Sequence, residues 1–296
     1  MKTTLTATYR TLQSQVNRSS LKLQQYQETA ATGIKLNTPS DDPSAVSSVL
    51  SIQSQMRSGE RYQTTIASAT SQLSNLDSTL DQFENLMVQA KEIVLATGNG
   101  ALSQSDIGTY AQQITLLKEE AYSLANTQIE GKYLFSGFAI NTKPFPDSSD
   151  PTLYQGDDNH AELQIGPSQK VVTNLTGAEL FQGQGGGMNI FQLLDDLQQN
   201  LSSMDTEQAL SRLDDLEAGA DQIRSYRSKI GITAKRLDDA DIRMQDFADS
   251  MEAKLSSYRD ADAIEAYTNL AQQEQALQAA LSVTAKISDL SILDYL

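Results

Sequence analysis

The sequence contains no cysteine and no tryptophan, and it has one histidine, His160. A chain without cysteine forms no disulfide, no thiolate metal site and no thiol nucleophile. One histidine cannot complete a site that needs two histidine ligands. His160 follows a run of Asp and Asn residues, and we interpret it as a solvated residue of a polar turn. These absences argue strongly against an enzyme.

Other short motifs also lack the spacing that chemistry requires. Asp157 and Asp158 do not have the spacing of an EF-hand. Residues 185–187 are three glycines, but no Lys-Ser or Lys-Thr follows them as in a phosphate-binding loop. No Gly-x-Ser-x-Gly elbow is present. The sequence therefore predicts no catalytic residue, no cofactor site and no metal site.

The charge and hydropathy restrict the partners. The chain has 296 residues, with 22 basic and 38 acidic side chains and a net charge of −16. Such a charge disfavours nucleic acid and anionic membranes as partners. No run of 18 apolar residues is present, so we expect no membrane insertion.

Both ends of the chain carry apolar residues at alternating steps of three and four, which indicates long helices with one apolar seam. Residues 1–27 have a net charge of +4 and residues 263–296 a net charge of −3. Opposite charges predict that the two ends pair side by side. We expect them to be loosely held in the free monomer and fixed by neighbouring subunits. The predicted assembly residues are Leu5, Tyr9, Leu12, Val16, Leu23, Tyr26, Ile264, Tyr267, Leu270, Leu277, Leu281, Ile287 and Leu290.

The basic, Ser-rich start also resembles a mitochondrial transit peptide. It lacks the apolar segment of a secretory signal. A removable presequence would not need a full heptad seam and a complementary partner at the other end of the chain. We therefore favour a retained helix that ends at Gly33.

Between the two ends, further seams predict four helices. Asp42 and Pro43 fit the N-cap and first position of a helix that runs to about residue 97 and weakens at Gly59. Residues 98–100 break it, and Ser103 or Ser105 begins an antiparallel third helix. Later helices cover residues 190–201 and 213–258, the second with Arg227 and Asp241 as polar interruptions of its seam.

The helical period disappears between residues 131 and 188, where Gly, Pro, Asp and Asn separate short apolar runs. We predict strands at Lys132–Phe138, Thr152–Tyr154, Ala161–Ile165, Lys170–Asn174 and Ala178–Phe181. The predicted fold is mainly α: a long antiparallel helical bundle built from both chain ends, with one inserted small β-rich domain. The predicted domains are residues 1–33 with 263–296, residues 34–130 with 189–262, and residues 131–188.

Three sets of motif residues stand out. The first follows the N-terminal helix, the second lies in the β-rich segment, and the third is the end of the chain, residues 290–296. The residues of the first two sets are Asn37, Ser40, Asp41, Asp42, Pro43, Phe135, Ser136, Gly137, Tyr154, Gly156 and Asp157. Together these sets resemble the flagellin superfamily, and most of all its hook-associated proteins that join hook to filament, although the start of the chain differs from the usual flagellin opening.

This resemblance implies a structural adaptor at the hook–filament junction of the bacterial flagellum. It implies self-association in a ring, contacts with a second hook-associated junction protein and with flagellin, and an export chaperone at the C-terminal helix. It also implies an extracellular protein, exported through the flagellar type III apparatus without a cleaved signal peptide. The alternatives are a short flagellin, an adhesin-type binding module that displays the β-rich segment, or an enzyme that uses His160.

Overall fold

The computed structural model describes residues 2–99, 102–150 and 152–293. The helices and strands in this part of the chain follow the predicted order of long helices around a central irregular segment. They are α1 (Lys2–Thr32), α2 (Pro43–Thr97), α3 (Gln104–Ala125), β1 (Gln128–Ile129), β2 (Lys132–Tyr133), β3 (Glu162–Gly166), β4 (Gln169–Val172), α4 (Gly177–Phe181), α5 (Ile190–Ser202), α6 (Thr206–Ser211), α7 (Leu213–Arg259) and α8 (Ala263–Leu293).

The predicted helix boundaries rest on local capping. Gly33 follows α1 with a φ of +70°, a conformation that glycine adopts without strain. The Asp42 carboxylate accepts hydrogen bonds from the N–H groups of Ser44 and Ala45 at 2.9 and 3.0 Å, so it caps α2. Ser103 and Asp106 form a reciprocal capping box at the start of α3. The helix predicted from Asp42 continues without interruption through Gly59, which is buried.

The chain forms two compact units, Met1–Ser58 with Asp246–Leu296 and Gly59–Gln245. In the first unit α1 runs antiparallel to α8. A bridge between Ile34 and Asp260 joins the segments that follow α1 and α7. A small apolar cluster in this unit contains Ile52, Met251 and Leu255.

The second unit contains the large core. Apolar residues of α2, α3, α5 and α7 pack together with residues of the central segment in one continuous cluster. Its centre is aromatic: the ring of Phe181 lies 4.6 Å from that of Phe83 and 5.2 Å from those of Phe135 and Phe191. Such ring pairs stabilise a core beyond the apolar area that they bury.

The central segment has less β structure than the sequence indicates. The structure places two antiparallel pairs there, β1 with β2 and β3 with β4. The strand prediction for Thr152–Tyr154 is wrong, because the Asp150 carboxylate accepts from the N–H and hydroxyl of Thr152 and holds a turn. The strand prediction for Ala178–Phe181 is also wrong. These residues belong to α4, which Thr176 caps by accepting a hydrogen bond from the Glu179 N–H.

In the second pair, Leu163 lies opposite Val171 and Gln164 opposite Lys170, with a register shift before Gly166. The predicted strand at Lys132–Phe138 is shortened to Lys132–Tyr133, because the chain turns at Gly137 with a φ of +68°. None of the helices in the described ranges is both long enough and apolar enough to cross a membrane.

Candidate assembly interface

The two terminal helices contact each other along one face each. The side-chain amide of Gln273 on α8 donates to the carbonyl and the hydroxyl of Ser19 on α1, at 3.0 and 2.7 Å. Ser19 is the single polar member of the predicted α1 seam. A hydrogen bond across a helix pair satisfies these two polar groups and fixes the register of the helices.

Four of the residues predicted for the α1 seam share one face of the helix. Leu12, Val16, Leu23 and Tyr26 are half-buried at spacings of three and four residues, on the same face as Ser19. Tyr9 differs, because 52% of it is exposed. The side chains of Leu5, Ile287 and Leu290, also predicted for the interface, lie outside those that the structure describes.

The C-terminal seam separates into two faces of α8. Leu270 and Leu277 are half-buried on the face that carries Gln273. Ile264, Tyr267 and Leu281 are exposed by 80%, 61% and 50%. We expected all five residues on one seam that faces α1; the three exposed ones do not lie on it, and their part in assembly stays a prediction. They lie on a second, solvent-facing side of α8.

Sequence reasoning missed most of the α8 face that contacts α1, because its members are small or polar. The steps between its residues alternate between four and three, but larger apolar residues on another side of α8 give a competing pattern. Ala266 is 5% exposed and the others are half-buried. The face consists of Ala266, Leu270, Gln273, Leu277, Ala280 and Thr284.

The opposite net charges of the two ends do not produce direct contacts between charged groups. Among the side chains that the structure describes, no ion pair joins α1 to α8. The prediction that opposite charges pair the two ends therefore has no direct ionic contact behind it among these side chains.

The first set of motif residues forms the turn between α1 and α2. The Asp41 carboxylate accepts from the N–H groups of Asn37 and Thr38 at 3.0 and 2.7 Å. These bonds, that of Thr38 most of all, lower the pKa of Asp41 because they stabilise its charged form. Ser40 is exposed in this turn, and Pro43 is the first residue of α2.

The second set converges on one loop although its residues are distant in sequence. The Tyr154 hydroxyl contacts the carbonyl oxygens of Phe135 and Asp157 at 2.9 and 3.1 Å. The Asp157 N–H donates to the Ser136 carbonyl at 3.1 Å. Phe135 and Ser136 are fully buried beneath this loop. Burial raises the pKa of Tyr154, so it stays a neutral hydrogen-bond donor.

Both glycines of this set occupy positions without room for a side chain. A Cβ on Gly137 would lie 2.2 Å from the Asp157 carboxylate, and a Cβ on Gly156 would lie 2.3 Å from the Tyr154 hydroxyl. The Asp157 carboxylate accepts from the Phe138 N–H at 2.9 Å, which is the main reason for its lowered pKa. The motif thus holds a rigid loop, and its geometry assigns it no catalytic role.

The polar residue Arg227 in the α7 seam has a structural explanation. Its guanidinium contacts the carboxylates of Asp77, Asp81 and Glu84 on α2 at 3.0, 2.8 and 2.8 Å. These carboxylates raise the pKa of Arg227. The three acids lie on one face of α2, and a single arginine from α7 holds them together.

A second ion-pair group lies further along the same two helices. Glu217 of α7 contacts Lys91 of α2 and also Arg224. Its hydrogen bond from Lys91, followed by that from Arg224, lowers the pKa of Glu217 to about 2. These pairs join α2 to α7 along the length of the second unit.

His160 lies in a loop as predicted, with a carboxylate neighbour. Its Nε2 is 3.3 Å from Glu179 Oε1. In the described ranges, no group of three or more His, Cys, Asp or Glu side chains is arranged to hold a metal ion. The arrangement around His160 is a local contact between the central loop and α4.

Comparison with known families gives two matches. The bacterial flagellin N-terminal helical region matches residues 4–139. The bacterial flagellin C-terminal helical region matches residues 213–296. The two regions carry α1, α2 and α3 at one end and α7 and α8 at the other, and the central segment lies between them.

Individual proteins are similar over most of the chain. Flagellar hook-associated protein 3 of Escherichia coli is 26% identical over 94% of both chains. A solved hook-associated protein from Vibrio parahaemolyticus has a TM-score of 0.69 and 21% identity, over 74% of this chain and all of that one. The junction protein FlgL from Legionella pneumophila has a TM-score of 0.61 and 17% identity, over 72% of this chain and 99% of that one.

The structural likeness shows a shared fold, and the sequence matches add the family. The two flagellin regions together span well over half of the chain, and the Escherichia coli relative covers nearly all of it. The chain therefore belongs to the flagellin superfamily.

Proposed function

We propose that this chain is the structural adaptor subunit at the hook–filament junction of a bacterial flagellum and provides the platform for filament growth. The observation that carries the proposal is the similarity to hook-associated protein 3 over 94% of both chains. A short flagellin would share the terminal regions but has no reason to share this full length. The role is mechanical and needs no catalytic group.

Assembly proceeds through the terminal helices. One face of α8 contacts α1, and the other presents Ile264, Tyr267 and Leu281 to solvent. Exposed apolar side chains at this density mark a contact surface. We assign this second face to a neighbouring subunit, and the α1–α8 face to the pairing of the ends within one subunit. The thirteen residues predicted from the sequence remain proposed assembly residues, some through the pairing of the ends and others through contact with a neighbouring subunit.

The proposed organisation has three parts, as the sequence suggests. Residues 1–33 with 263–296 form the inner assembly layer, residues 34–130 with 189–262 form the long-helix bundle, and residues 131–188 face outward. The proposed partners are further copies in a ring, a second hook-associated junction protein, flagellin, and an export chaperone on α8. The proposed location is extracellular, after export without signal cleavage.

A deletion strain tests the role. We expect electron microscopy to show hooks without filaments, and flagellin monomers in the medium. Immunogold labelling of the complemented strain is expected to mark the joint between hook and filament. Loss of one filament type with intact junctions would instead identify a short flagellin.

Single substitutions test the assembly face. Tyr267→Asp places a charge on the exposed side of α8, and we expect it to abolish filament attachment while the far-UV circular dichroism of the monomer stays unchanged. Ile232→Asp is the matched control, because Ile232 is equally exposed, at 63%, but lies on α7. Normal filaments with Tyr267→Asp, or equal loss with the control, would contradict the assignment.

A further inference from the structure

An open groove lies in the second unit between α2, the β1–β2 hairpin and the loop after Gly137. Its volume is about 590 Å³. One wall is formed by α2, and the facing side is formed by the hairpin and by Phe138 and Ile140. This volume is within the usual range for sites that bind small ligands.

The α2 wall consists of neutral hydrogen-bonding side chains. Ser68, Ser71, Gln72 and Asn75 line the groove at positions i, i+3, i+4 and i+7, so they share one face of the helix. Within the described part of the chain, none of these four side chains has a hydrogen-bond partner in the protein. Hydroxyl and amide groups both donate and accept. The wall is therefore an unused row of neutral donors and acceptors.

The facing side carries an exposed aromatic ring on a rigid loop. Phe138 is 56% exposed. Its backbone N–H donates to Asp157 Oδ1 at 2.9 Å, and Gly137 before it has a φ of +68° with no room for a side chain. The Tyr154 hydroxyl fixes the same loop from beneath. The backbone beneath the ring is therefore fixed, so a ligand that stacks on Phe138 has to order only this side chain and not the loop.

The charge around the groove disfavours anionic ligands. Glu130 and Lys132, which also line it, have opposite signs, and the chain as a whole carries a net charge of −16. An anionic polymer would be repelled by this field. A ligand that matches both walls must offer several hydroxyl groups and also an apolar face for the aromatic ring.

We propose that this groove binds a neutral oligosaccharide. The hydroxyl groups of the sugar rings would bond to Ser71, Gln72 and Asn75, and their C–H faces would lie on Phe138. An extended peptide fits less well, because the α2 wall offers side chains instead of the free backbone groups that strand addition requires. The proposal is independent of the adaptor function, since the groove contains no residue of the terminal helices.

Titration of the full chain with neutral oligosaccharides tests the proposal. The probes are maltotriose, cellotriose, chitotriose and lactose at millimolar concentrations, followed by saturation-transfer difference NMR and calorimetry. We expect binding of at least one probe. Phe138→Ala should weaken it about tenfold, equivalent to about 1.4 kcal/mol, because the apolar contact between the ring and the sugar is lost. Gln72→Ala should weaken it about fivefold through one lost hydrogen bond.

Two control variants separate the groove from general surface effects. Ile232→Ala removes an equally exposed apolar side chain on α7, and Gln89→Ala makes the same amide deletion on α2 outside the groove. Both should bind the probes like the unmodified chain. Absence of binding to all four probes by the folded chain overturns the proposal. So does equal weakening by the controls, or a change in self-association with Phe138→Ala in place of a change in sugar binding.

Discussion

Replacement of Arg227 by methionine removes a cation that contacts three carboxylates of α2, and we expect it to destabilise the second unit. Methionine keeps most of the length and the apolar contacts of the arginine stem. The guanidinium contacts are short, at 3.0 Å to Asp77 and 2.8 Å to both Asp81 and Glu84. The variant leaves three acids together on one helix face.

The size of the expected loss in stability follows from how exposed the four charged side chains are. The Arg227 side chain is 27% exposed, whereas those of Asp77 and Asp81 are exposed by 46% and 53%, and that of Glu84 by 23%. Solvent screens pairs this exposed, so each contributes about 0.5 kcal/mol, and uncompensated repulsion between neighbouring acids adds a similar amount. We expect a loss of about 2 kcal/mol in the free energy of unfolding. This corresponds to a fall in Tm of roughly 4–8 °C for a unit of this size.

Urea unfolding followed by far-UV circular dichroism measures this loss. Arg236→Met is the matched control, because Arg236 lies on the exposed side of the same helix. The difference in stability between the two variants should shrink in 1 M salt, because the Debye length falls to about 3 Å and the charges are screened from one another. An unchanged urea midpoint for Arg227→Met, or a loss equal to that of the control, would refute the reasoning.

Three further predictions concern the loop, acid stability and the chain ends. Gly137→Ala should destabilise the chain by about 2 kcal/mol more than Gly131→Ala. Both glycines have a positive φ, but only Gly137 lacks room for a Cβ. Equal losses of stability in thermal melts would show that backbone strain alone matters. Glu217→Gln should flatten the acid dependence of stability. The pKa of Glu217 is lowered to about 2 from 4.5, so its contribution to folding stability is full above pH 4.5 and disappears as the pH falls through 2. Identical acid unfolding curves for the variant and the unmodified chain would contradict this. Hydrogen exchange in the free monomer should be fast along α1 and α8 and slow around Leu80; strong protection of both ends would show that they are fixed before assembly.

Much of the helical architecture could be predicted from the sequence because heptad spacing and capping are local signals. The end of α1 and the starts of α2 and α3 depend on residues within one helical turn of each boundary. Arg227 stood out in the sequence as a polar interruption, but its carboxylate partners are on another helix. No local pattern could identify them.

The predictions failed in the central segment and on α8. Short apolar runs such as Ala178–Phe181 fit either a strand or a buried helix, and the Thr176 cap decides between them. On α8, apolar residues occupy two faces, so periodicity alone could not say which face contacts α1. The small Ala266 is buried, and the polar Gln273 belongs to the contact face because it donates to Ser19.

The sequence by itself determined that the chain is built from long helices with apolar seams at both ends, and that it lacks the residues for thiol or two-histidine metal chemistry. Only the tertiary structure decided that the motif residues from Phe135 to Asp157 form one rigid loop, and that Phe138 faces a row of neutral groups on α2. The physical reason is the separation along the chain between the residues that interact. Helix formation depends on neighbours a few residues apart, whereas a loop or a groove depends on contacts between segments that only folding brings together.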